Sequence, residues 1–364
     1  MILSEILNEI EQLAPASLQE SYDNAGLLTG NRSMKITGAL ICLDSIEAVI
    51  DEAIENKFNL VIAHHPIIFS GLKKINGNNY VERVIIKAIK NDIAIYAAHT
   101  NLDNVINGVN AKISEKIGLK NLQILSPKDG LLKKLVTFCP NEQAAKVREA
   151  LGRAGAGSIG NYDNCSFNLE GTGTFRANES AEPFVGNKGE IHFEKETRIE
   201  VIFENFKEKA VLRALFENHP YEEVAYDVYS LANSLKTVGS GMIGEFETEM
   251  EEKDFLNLLK TNFKANGIRH TALLGKKIKT VALCGGAGSF LLKAAMARGA
   301  GAFVSGDFKY HEFFDADGKI VVTDIGHFES EQFTGEIFYD LIKKKFPTFA
   351  VRFSKIHTNP VNYF

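Results

Sequence analysis

Apolar and polar residues alternate along this chain in two rhythms. Continuous apolar runs of strand length, such as Leu60-Val61-Ile62-Ala63, are separated by stretches in which apolar residues recur every three or four positions. Residues 36–44 read as a strand, residues 45–56 as a helix with Val49, Ile50, Ala53 and Ile54 on one face, and residues 60–65 as a second strand. Pro66 stops that strand, because it cannot donate to a sheet ladder. Strands joined through a helix in this way are expected to run parallel with a right-handed crossover. A Gly/Asn-rich loop (71–79), a helix (81–90) and a strand (93–98) continue the plan.

The same order returns near the end of the chain. Residues 42–65 align without a gap on residues 284–307, giving a strand, a helix (289–298) and a buried strand (302–304). Beyond them, His99-x-x-x-Asp103 follows the strand 93–98 just as His327-x-x-x-Glu331 follows the strand 320–323. Two copies of one α/β unit would set these pairs around a pseudo-two-fold axis. The copies differ where chemistry matters, since His64 and His65 are matched by Gly306 and Asp307. Between them, residues 126–232 change character, with strands at 132–138 and 198–203, helices at 141–153 and 206–218, and a Gly/Asn-rich middle at 155–189. The expected fold is α/β, a duplicated three-layer core of residues 1–125 and 233–364, interrupted by a ferredoxin-like α+β insert, residues 126–232.

Charge changes the picture little: 41 basic against 46 acidic side chains leave −5, interleaved along the chain, which asks for neither nucleic acid nor a membrane surface. No apolar run approaches the ~18 residues of a membrane span. The first ten residues read as an acidic amphipathic helix and not a signal peptide. Cys42, Cys139, Cys165 and Cys284 are scattered without a Cys-x-x-Cys pair, which reads as reduced thiols in a cytoplasm.

The chemistry collects at strand ends, where ligands gather in open α/β sheets. His64, His65, Asp103, His327 and Glu331 offer three imidazoles and two carboxylates, mixed N/O ligation that suits zinc, manganese or iron(II). Neighbours on a strand point to opposite faces, so His64 and His65 could address different ions, or one ion if the strand has bent. Five ligands exceed one tetrahedral ion that keeps a water and suit two ions about 3.5–4 Å apart that share a carboxylate, here Glu331. His99 is placed beside them, toward the substrate, and Asp307 and His311 are weaker candidates for the same surroundings. Cys284-Gly285-Gly286-Ala287-Gly288-Ser289 could cradle phosphate at a helix start, although it lacks the dinucleotide fingerprint. Asp23 and Asn24 stand either in a simple turn or near the chemistry. His219-Pro220-Tyr221-Glu222-Glu223 reads mainly as a helix end followed by an exposed acidic edge, with metal binding as the alternative.

Six motifs together carry a resemblance: Tyr22-Asp23-Asn24-x-Gly26-Leu27-Leu28-x-Gly30, His64-His65-Pro66, His99-Thr100-Asn101-Leu102-Asp103, the 284–289 loop, Ser305-Gly306-Asp307-x-Lys309-Tyr310-His311 and Gly326-His327-x-x-x-Glu331. Over almost the whole chain they resemble the dinuclear-metal, hexameric, NIF-three-like proteins called GTP cyclohydrolase 1 type 2 homologues. The insert is similar to that of the long bacterial members, whose middle domain resembles PII and CutA trimers. Tyr22 departs from the Trp of many members. The resemblance implies a toroidal homohexamer with two divalent metals per subunit, zinc foremost, at His64, His65, Asp103, His327 and Glu331. It also implies hydrolysis of GTP to formate and a dihydropterin triphosphate, with His99 passing protons during ring opening. Hydrolysis of another nucleotide or small molecule would use the same ions, and a regulatory or scaffold hexamer with structural metals is the other class to weigh.

Overall fold

The computed structural model describes residues 1–364. Two compact units form, Met1–Pro127 with Lys236–Phe364, and Lys128–Leu235. The chain begins with α1 (Leu3–Leu13), β1 (Gly26–Thr29), β2 (Ala39–Asp44), α2 (Glu47–Glu55), β3 (Leu60–His65), α3 (Tyr80–Lys90), β4 (Ala94–Ala97), α4 (Thr100–Asp103), α5 (Val109–Ile117) and β5 (Lys120–Lys128). The second unit contains β6 (Leu132–Pro140), α6 (Ala144–Arg153), β7 (Phe167–Arg176), β8 (Ile191–Glu204), α7 (Glu208–Asn218) and β9 (Tyr226–Ser230). The remainder comprises β10 (Leu235–Met250), α8 (Glu252–Asn262), β11 (Arg269–His270), β12 (Ile278–Ala287), α9 (Leu292–Ala297), β13 (Ala302–Gly306), β14 (Val321–Asp324), α10 (His327–Glu331), α11 (Thr334–Lys345) and β15 (Val351–Phe353).

The first unit is built on two sheets of one plan. One has the order β1-β4-β3-β2-β15 and the other β11-β14-β13-β12-β10-β5. In each, three central strands run parallel (β2, β3, β4; β12, β13, β14), and an antiparallel strand, β1 or β11, closes one edge. The central strands are apolar along nearly their whole length because helices cover both faces. On the first sheet, Val49, Ile50 and Ala53 of α2 and Val84, Ile85 and Ala88 of α3 pack with Leu40, Val61, Ala63 and Ile95, while α11 packs on β2 and β3. On the second, Leu292 and Ala295 of α9 pack with Ala282, Phe303 and Val322, and Gly285 on the opposite face of β12 meets Val109 and Ile113 of α5. Burying each such large side chain stabilises the fold by roughly 1.5–3 kcal/mol.

The halves also trade strands. β15, from the end of the chain, pairs in parallel with β2 in the first sheet, whereas β5, from the first half, lies beside β10 in the second. Periodicity finds such strands but does not say which sheet receives them.

The second unit has the order β-α-β-β-α-β with an antiparallel sheet β7-β8-β6-β9, the ferredoxin-like arrangement. Leu135, Ile199, Val201 and Phe203 bury one sheet face against Val147, Leu151, Val211 and Leu215 of the two helices. The Gly/Asn-rich middle is less irregular than its composition suggests: β7 pairs with β8 from Phe167 opposite Glu200 to Arg176 opposite Ile191. Gly171 and Gly173 weaken its intrinsic strand preference, and the ladder to β8 overrides them. The helix expected at 289–298 starts as a 3-10 turn, Ser289–Leu291, before α9. No helix is long and apolar enough to cross a membrane.

Candidate metal centre

The parallel strands of both sheets end on one cluster. His64 and His65 close β3, His99 follows β4, Asp103 ends α4, and His327 and Glu331 lie four apart on α10, which follows β14. One helical turn thus puts His327 and Glu331 on the same face. Gly326 precedes α10 at φ +96°, a turn that favours glycine. Gly306 stands where the first half has His64, and a Cβ there would lie 2.8 Å from the His327 amide nitrogen.

Each of four imidazoles is oriented through Nδ1. The Nδ1–H of His64 donates to the Ala98 carbonyl (2.8 Å), while Nδ1 of His65 meets Asp44 (2.7 Å), Nδ1 of His99 meets Asp23 (2.8 Å) and Nδ1 of His327 meets Asp307 (2.7 Å). Acceptors on Nδ1 fix the tautomer and leave the Nε2 lone pair free. Thr358 donates to the other oxygen of Asp44 (2.6 Å), and Thr100 to the other oxygen of Asp23. Of the four acceptors, the sequence points to Asp307 and sets Asp23 either in a turn or near the chemistry. Asp44 and the Ala98 carbonyl carry no spacing signal, and only the fold brings them to the rings.

Three groups bring their ligand atoms within 4.8 Å of one another: His64, Asp103 and Glu331; His65, His327 and Glu331; and His64, His65 and His99. The two oxygens of Glu331 are divided between the first two. Oε1 lies 3.7 Å from His64 Nε2, whereas Oε2 lies 2.9 Å from His65 Nε2 and 3.1 Å from His327 Nε2. His64 Nε2 is also 3.6 Å from Asp103 Oδ1, and both atoms are buried without a hydrogen-bond partner. Orphaned polar atoms of this kind are costly in a protein interior. His65 Nε2 and His327 Nε2 face each other at 3.2 Å, so two lone pairs oppose unless a cation or a proton stands between them and Glu331. The donor set therefore fits a metal ion.

The electrostatics of the cluster point the same way. Burial opposes charge on His65, but hydrogen bonds to Asp44 and Glu331 outweigh it and raise its pKa to about 9. Burial likewise opposes charge on His327, which the Glu331 charge and the Asp307 hydrogen bond lift to about 11. Burial and the Glu331 charge push the Asp103 carboxyl up to about 8. Burial disfavours ionised Glu331 as well, yet His327 and His64 hold its carboxyl well below the usual value. Without a metal, protons must balance these carboxylates.

Other candidates fall away from the cluster. His311 is exposed and touches Tyr310 and Phe314. His219 spends both ring nitrogens on the backbone: Nε2–H donates to Phe138 O (2.9 Å) and Nδ1 accepts from the Tyr221 amide (3.1 Å). The 284–289 loop is no open phosphate cradle, because the Gly285 amide donates to Asn110 (2.9 Å) and that of Gly286 to Ser330 (2.9 Å). The cluster opens into a cavity of about 910 Å³ lined by both halves of the unit.

The family profile described as Duf34/NIF3 (NGG1p interacting factor 3) matches residues 1–360. A Halalkalibacterium halodurans protein named GTP cyclohydrolase 1 type 2 homolog is 42% identical over 365 residues, 98% of each chain. A Bacillus subtilis protein of the same name is 40% identical over 326 residues, covering 89% of this chain and 87% of its own. Among solved structures, a Bacillus cereus protein related to NIF3 superposes with a TM-score of 0.88 at 38% identity, covering 100% of this chain and 99% of its own. A Staphylococcus aureus protein, SA1388, gives 0.79 at 28% identity with the same coverage. With its fold, its clustered histidines and these relatives in agreement, the chain belongs to the DUF34/NIF3 family.

Proposed function

We propose that this chain is a dinuclear-metal hydrolase acting on a nucleotide, in the manner that the name of its relatives suggests for GTP, and that it works as a cytoplasmic homohexamer. His64, Asp103 and Glu331 would hold one divalent ion and His65, His327 and Glu331 the other, with zinc foremost. The observation that carries this reading is the division of the two Glu331 oxygens between two sets of inward-facing donors. Ions at such a site supply Lewis acidity and make water nucleophilic at neutral pH.

The chain's own residues do the rest. Asp44 and Asp307 keep His65 and His327 in the ligating tautomer. Asp23 holds His99 by Nδ1, leaving Nε2 to hold or move a proton on the cavity side. The apolar strands behind the cluster exclude water from its back, since His64 is fully buried.

Elemental analysis of the purified full chain, followed by incubation with GTP and separate assays for formate and free phosphate, tests the reading. Two equivalents of metal with formate release support a cyclohydrolase, and phosphate release alone supports a phosphohydrolase. Metal without turnover on any nucleotide would move the chain to a scaffold role. Light scattering at several concentrations tests the hexamer, and a persistent monomer would refute it.

A further inference from the structure

The cavity beside the cluster has walls unlike those of a polyphosphate site. Its volume is about 910 Å³, and Phe69, Tyr80, Phe328 and Tyr363 give it flat apolar surfaces. Arg269 is the one Lys or Arg side chain in its lining, and that guanidinium is already paired with Asp324 and donates to the Phe308 carbonyl (2.9 Å). Among side chains, the guanidinium fork of an unpaired arginine is a recurrent partner of phosphates. These walls are therefore suited to a ring more than to a phosphate chain.

Glu329 supplies a polar anchor among them. It sits on α10 between His327 and Glu331, lines the cavity and is only 6% exposed. It accepts one long hydrogen bond, from Asn359 Nδ2 to Oε1 (3.2 Å). Oε2 lies over Gly326, where a Cβ would approach to 2.1 Å, so the glycine leaves the space that this carboxylate occupies. A carboxylate has about four acceptor positions. Glu329 lines the cavity, so the acceptor positions left unfilled are open to a ligand there.

We infer that Glu329 determines specificity by accepting two adjacent N–H donors from the edge of a flat 2-amino-4-oxopyrimidine ring, the edge that guanine carries. A carboxylate matches such a pair of parallel donors with both oxygens, and hydrogen bonds to a charged acceptor are the strong ones. The aromatic walls select a ring over an open guanidinium of the same donor pattern. This inference rests on the hydrolase reading for placing the ligand next to the cluster, and its test reads binding and not turnover.

Calorimetric titration of the metal-loaded full chain with guanosine, inosine and methylguanidine tests it. Inosine lacks the 2-amino donor, so guanosine should bind about tenfold to a hundredfold more tightly. Methylguanidine has the donors without the ring and should bind weakest. Glu329→Gln should abolish the preference for guanosine over inosine with metal content unchanged, and Glu329→Asp should restore part of it. Equal affinity of the unaltered chain for guanosine and inosine overturns the inference, as does a preference that survives in Glu329→Gln. Methylguanidine binding as tightly as guanosine overturns the selection of a ring. A guanosine preference in a protein that turns over no nucleotide would sink the hydrolase reading and leave Glu329 in its role.

Discussion

Gly286→Ala separates the stability of the fold from the geometry of the cluster. Gly286 has φ +58°, and a Cβ there would lie 2.5 Å from Glu331 Oε1 and 3.0 Å from His327 Cε1. Two penalties follow. Left-handed backbone costs an alanine roughly 1–2 kcal/mol, which should lower Tm by about 2–8 °C in a unit of this size. The second penalty is local. Ordinary contact begins at 3.4 Å, so the end of the flexible Glu331 side chain must retreat by about 1 Å, and a misplacement of that size costs a positioned group on the order of 10²-fold. Metal affinity, measured by competition with a chromogenic chelator, should therefore fall by about tenfold to a hundredfold while the protein stays folded. Gly299→Ala is the control, because Gly299 has φ +73° and open space at its Cβ position. It should reproduce the melting shift and leave metal affinity intact. Equal affinities in the two variants would refute the claim that Gly286 holds Glu331 in its ligating position.

Three further outcomes are expected. Glu331→Gln keeps the shape of the side chain but removes the charge divided between two donor sets, so elemental analysis should find more metal lost than in His99→Asn; equal loss would make His99 a ligand. In metal-stripped protein, His65 at about 9 stands above its ordinary 6.5, so its stabilisation is complete below pH 6.5 and lost as pH rises through about 9. Asp103, raised from 3.8 to about 8, loses stabilisation in the same direction at lower pH. Melting temperatures of chelated protein should thus fall from pH 6.5 to 9, and a flat profile would contradict the protonated pair. Gly239 lies against Ser126 and Pro127, so the chain leaves and re-enters the first unit at neighbouring points. Replacing residues 128–235 by a short Gly/Ser linker should leave a folded, metal-binding protein, and aggregation with loss of metal would show that the first unit needs the insert.

The parts of the site legible in the sequence were those that covalent spacing dictates. Pro66 cannot donate to the ladder of a central strand, so β3 ends at His65, and a four-residue spacing puts His327 and Glu331 on one helical face. The gapless match of residues 42–65 to 284–307 held because both segments build a strand, a helix and a parallel strand, β2-α2-β3 and β12-α9-β13. What stayed hidden depends on contacts between distant segments. Asp44 looks like any polar residue after a strand until β2 and β3 pair and set it opposite His65. β7 contains two glycines in a polar stretch, and only its pairing with β8 makes it a strand.

The exchange of strands between the halves has a consequence for the order in which the site can come into being. β15 belongs to the sheet that carries His64 and His65, yet about 290 residues separate His65 from Phe353. At roughly 5–20 residues per second, a ribosome needs about 15–60 s to make that stretch. Throughout that interval the paired histidines are attached to an unfinished sheet, and Glu331, needed by both donor sets, arrives only near its end. A growing chain therefore offers loose imidazoles to any passing cation but no completed cage. A chain stopped just before residue 351 would contain every candidate ligand while lacking the strand that completes the sheet behind two of them.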